Sequence, residues 1–98
     1  MVEKCELEWS EPAFDDLEKI YNFLLITWTT REAENFLDLV IEFEELLLRY
    51  PKLFATSKKF RSCRIGMIHE NISAVYKIMG KKILIVALVD NRSKSKYR

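Results

Sequence analysis

Glycine, proline, cysteine and histidine are all scarce here: two, two, two and one in 98 residues. Gly66 and Gly80 stand far apart, which excludes a glycine-rich loop that cradles phosphate with backbone amides. So little glycine and proline also leaves no room for a long disordered tail. One histidine and two scattered thiols, Cys5 and Cys63, offer no zinc-ligand spacing, so neither a metal nor a cofactor is expected. The same two cysteines make no disulfide framework; reduced thiols and a cytoplasmic location are the expectation. No apolar run reaches the roughly 18 residues that a membrane-spanning helix needs. Residues 1–6 lack the apolar stretch behind a basic patch that marks a secretory leader. Carboxylates, finally, are almost missing from one half. Residues 51–98 hold only Glu70 and Asp90 against twelve Lys/Arg, a balance of +10. Residues 1–50 hold thirteen carboxylates against four Lys/Arg, a balance of −9.

The two balances sum to a net charge of +1, so a near-neutral chain conceals opposed halves. A basic half on a small domain implies one face that meets a polyanion or an acidic partner. The length suits one domain, 1–98, and a hydrophobic content of 49% is enough to fill one core.

Periodicity gives the order of elements. Residues 2–9 alternate, with Cys5, Leu7 and Trp9 on one side, which predicts a half-buried strand. Ser10, Glu11 and Pro12 then supply a hydroxyl N-cap, an acid and a first-turn proline. Ala13, Phe14, Leu17, Ile20, Tyr21, Leu24 and Trp28 recur at helical steps, and Trp9 and Trp28 are expected in the core, with a partner-binding groove the alternative. Thr29 with Glu32 forms a capping box for a second helix, which Pro51 ends. The link is short, so the helices should form an antiparallel hairpin. Their acidic runs, Asp15-Asp16 and Glu44-Glu45 among them, are expected to be solvated faces.

The second half changes period. After a basic loop, residues 60–68 place Cys63, Ile65 and Met67 in alternation with Ser62, Arg64 and Gly66, which predicts a strand. His69, Glu70 and Asn71 make a turn, residues 72–79 a second strand, and Gly80-Lys81 a further turn. Residues 83–89 are apolar throughout, as in a central strand covered on both faces. Tyr76 is expected to pack in the core with its hydroxyl at the rim. The order β-α-α-β-β-β describes an α+β fold, a helical hairpin on a small, mostly antiparallel sheet.

In this order and spacing the chain resembles the RelE/ParE superfamily, the toxins of bacterial type II toxin–antitoxin modules, known also as plasmid stabilisation proteins. The pieces are Glu8-Trp9-Ser10, Ala13, Asp16-Leu17 to Trp28, Ala33, Phe36, Tyr50-Pro51, Arg61, Cys63, His69, Ile72-Ser73, Val75-Tyr76-Lys77 and Asp90-Asn91-Arg92. The resemblance implies a growth-inhibiting toxin that a cognate antitoxin wraps and neutralises. RelE-like members cut messenger RNA on the ribosome; ParE-like members poison DNA gyrase and have lost the nuclease residues.

Metal-free RNA cleavage needs a base for the 2′-hydroxyl, cations for the phosphorane and an acid for the leaving oxygen. The candidate cations are Arg61, Arg64 and Arg92, because the guanidinium fork suits phosphate. The acid–base candidates are His69 and Tyr97, the latter placed like the late tyrosine of RelE-like nucleases. Lys58, Lys59, Lys77, Lys94 and Lys96 are candidate nucleic-acid contacts. Asp90 stands where many active members carry a histidine, and a carboxylate there repels phosphate. The arginines and the late tyrosine favour messenger-RNA cleavage; gyrase poisoning and a non-catalytic interaction module of the same fold are the alternatives.

Overall fold

A computed structural model describes residues 5–90 of the chain. Six elements follow the expected order: β1 (Glu6–Trp9), α1 (Glu11–Thr27), α2 (Thr30–Arg49), β2 (Arg64–His69), β3 (Ile72–Met79) and β4 (Lys82–Asp90). They form one four-stranded sheet in the order β1-β4-β3-β2. The β2–β3 and β3–β4 pairs are antiparallel, and β1 runs parallel to β4. Two helices on this mixed sheet make the expected α+β architecture.

Both helix starts obey their sequence signals. Ser10 Oγ accepts the Ala13 N–H at 3.1 Å, and Thr29 Oγ1 accepts the Glu32 N–H at 3.1 Å. The apolar stripe of α2 (Ala33, Phe36, Val40, Phe43 and Leu47) is buried against the sheet. On α1 only Ala13 is fully buried, while Phe14 and Trp28 are 50% and 66% exposed. Trp28 therefore leaves the core expected of it, because it sits one residue past the end of α1, where the chain turns to α2. Trp9 does pack on the core, and its indole N–H donates to Glu44 Oε2 at 2.7 Å.

A bulge in β4 decides which residues face the helices. Val75 pairs with Ala87 but Tyr76 pairs with Ile85, so Val86 is the extra residue. Ile83, Ile85 and Leu88 thereby join the main core with Phe36, Phe43 and Tyr76. Ala87 and Val89 turn the other way and join Cys63 and Val75 in a small cluster. That is how one apolar strand comes to be buried on both sides. The N-terminal end of α1 satisfies the bulge. Ser10 N–H donates to Ile85 O at 2.9 Å, Ser10 Oγ donates to Val86 O at 3.1 Å, and Asp16 Oδ2 accepts the Leu88 N–H at 3.2 Å. Asp16 and Glu44 are thus struts between layers, not solvated charges, because each reaches a donor on the sheet.

Residues 60–63 lie outside β2, contrary to the sequence expectation. Ser62 takes a left-handed φ of 65°, which breaks the extended run. The faces of β2 are also reversed from a simple apolar-in reading. Arg64 and Gly66 pair with Tyr76 and Ala74 on the helix side, and Ile65 pairs with Val75 on the other. Gly66 is buried there because the Phe54 and Phe43 rings lie where a side chain would go.

Candidate functional site

Arg64 is the most firmly placed of the sequence candidates. Its Nη1 donates to Phe54 O at 2.7 Å and, at the limit of a hydrogen bond, to Lys52 O at 3.5 Å. Across the strand pair Tyr76 is fully buried, and its hydroxyl donates to Pro51 O at 2.8 Å. Two side chains from neighbouring strands therefore clamp the segment that follows α2. Beneath the clamp, Phe43, Phe54 and Tyr76 form an aromatic cluster with ring centroids 5.3 to 6.4 Å apart. Burial pushes the Tyr76 phenol above its ordinary pKa; the nearby Arg64 charge and a hydrogen bond with the Phe54 backbone oppose that rise. The hydroxyl does not reach an open rim, as the sequence suggested, because the 51–55 segment covers it.

His69 is the last residue of β2, not part of a turn. Its Nδ1 accepts the Asn71 N–H at 3.3 Å and so caps the reversal into β3. It lies five positions beyond Arg64 along the strand. At a strand rise of about 3.3 Å per residue, the two backbones are roughly 16 Å apart. Arg61, Lys58 and Lys59 are exposed in the loop before β2, near the Arg64 end. Lys77 shares that end but points to the sheet face opposite Tyr76, since consecutive strand residues alternate. Of the described candidates, Arg64 is turned into the loop, Lys77 lies behind the sheet and His69 stands at the other end of β2. Arg92, Tyr97, Lys94 and Lys96 lie outside the described residues.

Among the described residues no three His, Cys, Asp or Glu side chains gather to hold a metal ion. No described helix is long and apolar enough to cross a membrane. The Arg64–Tyr76 clamp was not foreseen. Its signal was present in the sequence, since a proline after a helix leaves carbonyls that need donors.

The fold has clear relatives. A chain of the "Chromosomal ParDE TA system from P. aeruginosa" superimposes with a TM-score of 0.75 at 20% identity, covering 88% of this chain and 95% of that one. The YoeB dimer from Staphylococcus aureus gives 0.60 at 16% identity, covering 89% and 97%. The heterotetrameric YoeB–YefM toxin–antitoxin complex of the same species gives 0.58 at 15% identity with the same coverage. No curated protein sequence matches. A family model described as the ParE toxin of the type II toxin–antitoxin system parDE matches residues 7–95, and the chain belongs to that family.

Proposed function

We propose that this ParE-family toxin arrests growth by poisoning DNA gyrase and is held inactive by a cognate antitoxin. The observation that carries the reading is the placement of Arg64 and His69. Cleaving RNA without a metal requires cation, acid and base around one phosphate. Here the Arg64 guanidinium is engaged by the Phe54 carbonyl, and His69 caps a turn at the other end of β2. Of the sequence candidates among the described residues, the base His69 and the cation Arg64 therefore stand apart. The sequence leaned towards messenger-RNA cleavage; this separation moves the reading to the gyrase alternative, in line with the family to which the chain belongs.

Antitoxin binding is consistent with the surface of the hairpin. Phe14, Phe23 and Ile26 on α1 and Ile41 and Leu48 on α2 are large apolar side chains left exposed. An amphipathic helical segment would cover them by helix-in-groove docking.

The test is induced expression without antitoxin, followed by two assays on purified protein. Growth arrest, inhibited supercoiling by gyrase and intact ribosome-bound messenger RNA are expected. His69→Ala should leave the toxicity unchanged. Ribosome-dependent RNA cleavage that disappears in Arg61→Ala or His69→Ala would overturn the proposal. Growth at full rate would count against any toxic action.

A further inference from the structure

Between α2 and β2 the chain doubles back as a short protrusion. Thr56 bridges Arg64 in antiparallel sense, and the Ile65 N–H donates to Ala55 O at 3.0 Å. Further out, the Ser57 N–H donates to Cys63 O at 2.8 Å. Residues 58–62, Lys-Lys-Phe-Arg-Ser, form the tip. The tip is held from within. Ser57 Oγ accepts the Lys59 and Phe60 N–H groups at 3.3 and 3.1 Å, and the Cys63 N–H donates to Phe60 O at 3.3 Å. Its base is anchored by Cys63, buried against Val75, and by the Arg64–Tyr76 clamp.

What the protrusion presents is cationic and partly aromatic. Lys58, Lys59 and Arg61 are exposed, and Phe60 between them is 41% exposed although a large apolar ring gains by burial. Lys58 and Arg61 make no hydrogen bond or ion pair among the described residues. From residue 46 to residue 69 the sequence has six Lys/Arg and no carboxylate. The exposed carboxylates Glu34, Asp38, Glu42 and Glu45 lie on α2 instead. A chain near neutrality thereby keeps the cations of the tip apart in sequence from the carboxylates of α2.

We infer that this tip contacts the phosphodiester backbone of duplex DNA, with Lys58 and Arg61 each on a phosphate and Phe60 against the adjoining sugar edge. The inference rests on the gyrase reading, because that target works on duplex DNA. Single-strand binders track the chain through a groove with several stacking rings. This protrusion is convex and offers one ring, which favours backbone contact on a duplex.

The test is fluorescence anisotropy of the purified toxin with a fluorescent duplex of about 30 base pairs, with no gyrase present. Binding should weaken as salt rises, with a slope of log K against log salt that shrinks by about 0.9 for each phosphate no longer neutralised. Lys58→Ala with Arg61→Ala should therefore flatten the slope by about 2 and weaken binding about tenfold or more near 100 mM salt. Phe60→Ala should weaken it further without changing the slope. Circular dichroism melting of the variants, whose altered groups are all exposed, checks that the fold persists. No binding by the wild type, equal binding by the double variant, tighter binding to single-stranded RNA of the same length, or displacement by polyglutamate of equal charge would each overturn the inference. Wild-type supercoiling inhibition reports separately on the gyrase reading, so either can fail while the other stands.

Discussion

Replacing Arg64 with methionine separates a structural role from a chemical one. The substitution keeps an unbranched stem and removes the guanidinium that holds Phe54 O at 2.7 Å. A hydrogen bond from a charged donor contributes about 1.5–3 kcal/mol, and the half-buried setting places this one near the lower end. The contact to Lys52 O at 3.5 Å adds little. A loss of about 1.5 kcal/mol in a domain of this size lowers Tm by roughly 6–12 °C. Tyr76→Phe removes the second arm of the clamp, the bond to Pro51 O. Because both arms hold one segment, the two losses should be non-additive in a double-mutant cycle. Thermal melting followed by circular dichroism measures this, alongside gyrase inhibition per folded molecule. The expected result is a lower Tm with inhibition retained at temperatures where the variant is folded. An unchanged Tm with lost toxicity would refute the clamp and return Arg64 to the target-binding surface.

The remaining expectations test the core and the struts. Gly66→Ala places a Cβ 2.7 Å from the Phe54 ring and 2.9 Å from Phe43, so it should destabilise by about 1–3 kcal/mol, read from chemical denaturation. Asp16→Ala leaves the Leu88 N–H without its acceptor and should cost about 1–3 kcal/mol, while Asp16→Asn keeps an acceptor oxygen and should cost less. The Tyr76 phenol has a raised pKa in the folded chain, so the unfolded chain releases its proton first. Its contribution is complete below the ordinary tyrosine pKa of 10.0 and is lost as pH climbs through the higher folded value. Tyr76→Phe should therefore flatten the fall in stability above about pH 10, measured by denaturation across alkaline pH.

The parts legible in the sequence are those governed by local rules. Ser10 and Thr29 cap helices because a hydroxyl ahead of an amphipathic run has free amides within reach. The apolar run of β4 marked a central strand, and β4 does lie between β1 and β3. What escaped is set by distant partners. Gly66 counted as polar in the alternation of β2, yet two aromatic rings from α2 and the following loop claim its space. That single close approach reverses the apparent faces of the strand and turns Arg64 toward the helix side. The Val86 bulge has no local signature, since valine sits comfortably in a regular strand. Trp28 is apolar in character but lies at the corner between α1 and α2, where it is left 66% exposed. The candidate cations were visible as a charge excess, but charge alone does not say which cation is already engaged by a carbonyl.

That distinction bears on how this fold deploys its charged side chains. In this chain the strand positions that could gather cations around a phosphate are committed to architecture: Arg64 to the Phe54 carbonyl, Tyr76 to the Pro51 carbonyl and His69 to the Asn71 amide. Each commitment fixes the segment between α2 and β2 or the turn into β3. Lys58, Lys59 and Arg61 stand outward at the tip of the segment that the clamp holds. A rigid base with an exposed cationic tip favours recognition of an extended anionic surface over chemistry at a single enclosed bond.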